Sequence, residues 1–189
     1  MTLVALGDSL TAGYGLPNGQ GFVPQLEAWL RAQGADVVVK NAGVSGDTAV
    51  GGQARIDWAL EPGTDAVLVE LGANDMLRGL PPDQTRQALD AIMARIARDG
   101  LPTLIAGIPA PTNYGAEYKA QFDAIFPELA AKYGALHYPN FVAAVMEDGT
   151  GAAVALLQPD RLHPNRDGVA RIVADIGPLV LDLLSRASE

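Results

Sequence analysis

Apolar residues gather in five short runs: Leu3 to Leu6, Val37 to Val39, Ala66 to Leu71, Thr103 to Ile108 and, more weakly, Ala135 to Tyr138. Each run is flanked by glycine, proline, asparagine or aspartate. Short runs that do not alternate with polar residues are the pattern of strands buried on both faces. Between them the apolar spacing changes to three and four, as in Phe22, Leu26, Trp29 and Leu30, then Leu89, Ile92, Met93 and Ile96, then Ile172, Val173 and Ile176. That period puts each set on one face of a helix. Strand and helix alternate with connections long enough for crossovers, which favours a parallel sheet over any antiparallel design. The expectation is α/β: a three-layer α/β/α sandwich around a five-stranded parallel sheet.

Helix ends sharpen the pattern. Pro82 stands at the start of a helix expected over 83–99, and Gly100 lies just past its end, the usual asymmetry of helix termini. Gly177-Pro178 interrupts the last helical pattern and predicts a kink or restart there, because proline removes an N–H and crowds the preceding turn. No internal repeat, low-complexity tract or linker divides the chain. Its 189 residues, 49% hydrophobic, suffice for one full core and are too few for two ordinary domains, so residues 1–189 read as a single domain.

Composition narrows the chemistry. The chain has no cysteine, which removes disulfides, thiol nucleophiles and thiolate metal sites. Only His137 and His163 are available, too few for a histidine-rich zinc site. No metal and no cofactor are expected. Thirteen basic against 22 acidic residues give a formal charge of -9, which repels phosphate backbones and makes nucleic acid a poor partner. No apolar stretch approaches the ~20 residues needed to span a bilayer, so stable membrane insertion is not expected. Met1-Thr2-Leu3-Val4 lacks the basic start of a secretory signal. A cytoplasmic protein fits, as does a periplasmic one whose signal was removed; oligomeric state is open.

Gly7-Asp8-Ser9-Leu10 closes the first apolar run, and Asp160-Arg161-Leu162-His163 lies near the far end. A serine hydroxyl is a poor nucleophile until an imidazole takes its proton, and the imidazole needs a carboxylate to fix its tautomer. Ser9, His163 and Asp160 supply those roles. In open parallel sheets ligands bind beyond the carboxyl ends of the strands, and Ser9, Gly46 and Asn74 each fall just after a predicted strand. The N–H groups of Ser9 and Gly46 and the side-chain amide of Asn74 could form an oxyanion hole. Singly, each fragment has a plainer reading: Gly-Asp-Ser as a turn or cap, Asp160 and His163 as a surface ion pair, Gly46 as a turn glycine, Asn74-Asp75 as a cap. Their conjunction, in order and at one sheet edge, favours catalysis. His137 reads as a core or rim histidine, and Asp8 and Asp75 as loop braces. Gly13-Tyr14-Gly15 fails the dinucleotide pattern, since position 18 is asparagine.

Together these segments resemble the SGNH, or GDSL-type, hydrolase superfamily. Gly7-Asp8-Ser9-Leu10 matches its first block, Gly46 its second, Gly72-Ala73-Asn74-Asp75 its third, and Asp160 with His163 its last. The resemblance covers essentially the whole chain and is greatest to the small bacterial branch of thioesterase I, lysophospholipase and arylesterase. It implies a flavodoxin-like sandwich and a serine esterase acting through an acyl-serine. Ser9 would be the nucleophile, His163 the base, Asp160 its orienting carboxylate, and Gly46 and Asn74 oxyanion donors. Thr11 stands where α/β-hydrolases carry the second glycine of their nucleophile elbow, which separates the two folds. Small-molecule substrates follow: aryl or short-to-medium acyl esters, acyl thioesters or lysophospholipids. A carbohydrate acetylesterase or an acyltransferase on the same site, or a silent binding module, are the alternatives. Met76, Leu77, Leu80, Pro81 and Pro82, and the segment 108–114, could line an acyl channel or simply cover the sheet edge. Ile108 and Pro109 are the substrate-contact candidates among them. Trp29 and Trp58, both in helical patterns, offer sugars little stacking surface.

Overall fold

A computed structural model describes residues 1–146 and 152–188. Five parallel strands, β1 (Thr2–Gly7), β2 (Val38–Gly43), β3 (Ala66–Glu70), β4 (Thr103–Ala106) and β5 (Leu136–Tyr138), form one sheet in the order β2-β1-β3-β4-β5. This is the flavodoxin-like order. The chain leaves β1 toward one side and returns to the other, which opens a crevice at the carboxyl ends of β1 and β3. Gly7 is level with both Gly43 and Glu70 in the register. The segments that follow β1, β2 and β3 therefore emerge side by side.

Helices fill the crossovers: α1 (Ser9–Ala12), α2 (Phe22–Ala32), α3 (Ala49–Ala59), α4 (Ala73–Leu77), α5 (Pro82–Arg98), α6 (Ala116–Asp123), α7 (Ile125–Tyr133), α8 (Ala143–Met146), α9 (Ala152–Ala155) and α10 (Arg166–Arg186). α2 packs with α10, while α3, α5 and α7 pack in series, giving the two outer layers. The sheet between them is dry: Leu3 to Leu6 and Ala66 to Val69 are fully buried. Apolar stripes seat the helices on it. On α5 the stripe is Ala88, Leu89, Ile92, Met93 and Ile96, and each large side chain there contributes roughly 1.5–3 kcal/mol by leaving water.

Three local features depart from the sequence pattern. β2 continues to Gly43 although its apolar run stops at Val39. It is an edge strand, where Val38, Lys40 and Asn41 face solvent, so pairing persists after hydrophobicity fades. β4 ends at Ala106, two residues early: Gly107 still donates its N–H to the Tyr138 carbonyl over 2.8 Å, and a Cβ there would meet the Pro139 carbonyl at 2.7 Å. The last helix neither stops nor restarts at Gly177-Pro178; α10 runs through both. Gly177 lies against the Trp29 ring, whose carbons would be 2.6 Å from any Cβ. The glycine thus serves close packing of α10 on α2.

Candidate active site

The tight turn out of β1 requires glycine at position 7, because a Cβ would stand 2.0 Å from Thr11 Oγ1. Asp8 then caps α1, its carboxylate accepting the Leu10 N–H over 3.0 Å, which makes Ser9 the first residue of that helix. Ser9 Oγ is 2.8 Å from His163 Nε2, and His163 Nδ1 is 2.7 Å from Asp160 Oδ2. Residues 154 apart in sequence thereby meet at the sheet edge.

The segment carrying Asp160 and His163 is one closed turn. Asp160 Oδ1 accepts the backbone N–H groups of Leu162 (2.9 Å) and His163 (3.1 Å). Arg161 between them has φ +58, the one positive φ outside glycine among the described residues. Gln158 ties this turn to the loop after α1: its Nε2 donates to the carbonyls of Tyr14 (2.8 Å) and Pro164 (3.0 Å). The Tyr14 ring lies against the imidazole, with centroids 4.7 Å apart. The two backbone N–H groups and the imidazole draw the Asp160 pKa down to about 2. At neutral pH the carboxylate can only accept, so neutral His163 must carry its proton on Nδ1. Nε2 is then the acceptor for the Ser9 hydroxyl.

Gly46 is the third residue of a turn closed by Asp47 N–H to the Val44 carbonyl at 3.1 Å, and its φ is +84. Glycine adopts that conformation without cost. Arg55 braces the turn from α3: Nε donates to Asp47 Oδ2 (2.6 Å), Nη1 to the Ala42 carbonyl (2.6 Å) and Nη2 to the Gly7 carbonyl (2.8 Å). Asn74 lies in the first turn of α4, and its Nδ2 donates to Asp8 Oδ2 over 3.1 Å. That contact orients the amide.

Ser9, Gly46, Asn74 and His163 line one cleft of about 680 Å³. Ile108 and Pro109 lie on its wall, with Leu10, Met76, Leu77, Pro111, Val142, Met146 and Leu162. Leu80, Pro81 and Pro82 do not line it and lead into α5 instead. Among the described residues that line it, His163 is the only ionisable side chain, tyrosine apart.

Beneath the cleft are carboxyl groups the sequence did not mark for the site. Asp8 is fully buried, and burial raises its pKa to about 6 against the pull of the Leu10 N–H and the Asn74 amide. Glu70 is pushed well above its ordinary value by burial and by the neighbouring Asp8 charge; its Oε2 accepts from Thr11 Oγ1 at 2.8 Å. Its signal was legible as a lone acid closing the apolar run Ala66-Val67-Leu68-Val69. Asp75 accepts the Ala49 N–H (2.9 Å) and the Thr85 hydroxyl (3.0 Å), tying α3 to α5. His137 is half-buried on β5 and does not line the cleft. Among the described residues no group of three or more His, Cys, Asp or Glu could hold a metal ion, and no helix is long and apolar enough to cross a membrane.

Residues 5–171 match the GDSL-like Lipase/Acylhydrolase family. The chain is similar to "Esterase TesA" of Pseudomonas aeruginosa, 35% identical over 97% of this chain and 89% of that protein. It is similar to "Thioesterase 1/protease 1/lysophospholipase L1" of Escherichia coli K12, 39% identical over 88% of this chain and 76% of that protein. Among solved structures it is similar to AlinE4, an SGNH-hydrolase family esterase, with TM-score 0.79 and 41% identity covering 97% and 96% of the two chains.

Proposed function

This chain belongs to the GDSL-like Lipase/Acylhydrolase family and is a serine esterase, and from that premise we propose how its residues divide the work. Ser9 is the nucleophile, His163 the general base, Asp160 its orienting carboxylate, and the N–H groups of Ser9 and Gly46 with the Asn74 amide are the oxyanion donors. The observation that carries this reading is the continuous chain Ser9–His163–Asp160 on the floor of an apolar cleft, with distances of 2.8 and 2.7 Å.

As Ser9 Oγ attacks the ester carbonyl carbon, its proton passes to His163 Nε2, and the negative carbonyl oxygen faces the three donors. Ionised Asp160 stabilises the imidazolium that results. Collapse breaks the bond to the leaving alcohol or thiol, which takes the proton from Nε2, and leaves an acyl-Ser9. Water then attacks with its proton moving to the same nitrogen, and the acid leaves as Ser9 recovers its hydrogen.

The substrate class we favour is a neutral, apolar acyl group of short to medium length, esterified to an aryl or alkyl alcohol or to a thiol. The lining around Ile108 and Pro109 is mainly apolar and, among the described residues, carries no cation or carboxylate, and the volume lies in the ~300–1,000 Å³ range of small-molecule sites. An acetylated polysaccharide fits less well. Trp29 packs on Gly177, and Trp58 is 75% exposed on α3; neither lines the cleft.

The test is covalent labelling with a fluorophosphonate alongside p-nitrophenyl ester hydrolysis. The natural sequence should label once per chain and Ser9→Ala not at all, with loss of turnover. Labelling and hydrolysis at the parent rate in Ser9→Ala would remove Ser9 from the role.

A further inference from the structure

The two proposed oxyanion donors outside Ser9 sit on segments with no direct ladder between them. Gly46 follows β2 and Asn74 follows β3, and β1 separates those strands. Arg78, the residue that ends α4, connects them. Its Nη2 donates to the Gly46 carbonyl over 2.8 Å, and its backbone N–H donates to the Asn74 carbonyl over 3.2 Å. The backbone bond is the ordinary last-turn bond of α4 and fixes Arg78 to the helix that carries Asn74; the guanidinium reaches from there to the Gly46 peptide.

Arg78 anchors the Gly46–Asp47 peptide, on one side of the glycine, and the Gly46 N–H lies on the other. It belongs to the middle peptide of the Val44–Asp47 turn, and a positive φ at the third position is the type II form. The type I form of the same turn reverses that peptide, and glycine accepts either φ. The reversed peptide would aim its carbonyl where the N–H now points. Arg55 fixes the Asp47 end of the turn and the end of β2, its hydrogen bonds going to Asp47, Ala42 and Gly7. Among the described residues, the one atom within 4 Å of a Cβ built at Gly46, its chain neighbours aside, is Arg78 Nη2, at 3.7 Å.

We propose that Arg78 is a positioning residue for the reaction: its guanidinium locks the Gly46 turn onto the helix that carries Asn74, so that both donors converge on one oxygen. The proposal rests on the reading of Gly46 and Asn74 as oxyanion donors. Arg78 is solvent-exposed, and an exposed contact of this kind contributes little to folding. Its effect therefore belongs to the transition state.

The experiment compares the full chain with Arg78→Ala, Arg78→Lys and Asn74→Ala, using a neutral substrate, p-nitrophenyl butyrate, and a neutral fluorophosphonate. Loss of a whole donor costs roughly a hundredfold in turnover, and a donor left in place but unrestrained costs less. Arg78→Ala should lower kcat roughly tenfold with KM nearly unchanged, because an interaction felt only at the transition state leaves ground-state binding alone. Phosphonylation of Ser9 should slow by a similar factor, since its tetrahedral oxyanion needs the same donors. Arg78→Lys, which keeps a cationic donor for the Gly46 carbonyl, should recover most of the loss, and the unfolding midpoint should hold in both variants. If Asn74→Ala is impaired while Arg78→Ala turns over at the parent rate, the Arg78 role fails and the oxyanion reading stands. A rise in KM at constant kcat would also overturn it, by making Arg78 a substrate contact. If Asn74→Ala is itself unimpaired, the oxyanion reading falls and this role with it.

Discussion

Replacing Asp160 by asparagine separates the turn from its charge. Asp160 Oδ1 accepts two backbone N–H groups and Oδ2 accepts the imidazole. Asparagine keeps one oxygen, which can go on accepting from Leu162 and His163, so the turn with Arg161 at φ +58 survives. Its NH₂ then faces Nδ1 of His163, and two donors cannot pair. The imidazole escapes by moving its proton to Nε2, which leaves Ser9 without a base. Restoring the productive tautomer costs about 1–2 kcal/mol of lost hydrogen bonding. The imidazolium also loses its counter-charge. That attraction is about 4 kcal/mol at 4 Å in an effective dielectric of 20, and roughly half of it is retained here, because the Asp160 side chain is 39% exposed. The sum, about 3–4 kcal/mol, corresponds to a fall of roughly 150- to 900-fold in kcat. The assay is p-nitrophenyl acetate turnover at neutral pH, with the urea midpoint measured in parallel. A kcat loss under about tenfold with the fold intact would refute both the tautomer argument and the role of Asp160.

Two further outcomes follow from the packing and from the buried acids. Gly177→Ala gains about 1 kcal/mol of helix propensity but drives a methyl to within 2.6 Å of the Trp29 ring, an overpacking cost of about 1–3 kcal/mol. The urea midpoint should fall, Trp29→Leu in the same chain should restore it, and a rise on Gly177→Ala alone would contradict the close approach of α10 to α2. Asp8 titrates near 6 when folded against 3.8 ordinarily. Across that interval the folded chain holds a proton the unfolded one has released, so stability should decline as pH rises, by up to about 3 kcal/mol from this group. Asp160 acts in the opposite sense and only below 3.8, so the windows do not overlap; denaturant titrations of the natural chain and Asp8→Asn across the interval should differ in slope, and equal slopes would remove Asp8 as the cause.

Much of this protein was legible in its residue order. Five short, mainly apolar runs and helical stripes between them specify a two-sided parallel sheet, because burying both faces of a strand leaves no room for regular alternation. Gly-Asp-Ser after the first run and Asp-x-x-His near the end mark the candidate chemistry, since a serine, an imidazole and a carboxylate are recognisable by type alone. Ile108 and Pro109 could be named as possible contacts for the same reason, as apolar residues just beyond a strand, and both line the cleft.

What only the tertiary structure decided were the contacts between segments that sequence keeps apart. The length of β2 depended on ladder partners rather than hydrophobicity, and the use of Gly177 on the ring of Trp29 from another helix. Glu70 and Asp8 became buried neighbours because the register sets the end of β3 beside the end of β1. The hydrogen bonds of Arg55 and Arg78 to the Ala42, Gly7 and Gly46 carbonyls exist only once three crossovers end level. Local pattern encodes which face of an element is apolar. Hydrogen bonds across crossovers depend on distances of a few tenths of an ångström that no one-dimensional pattern contains.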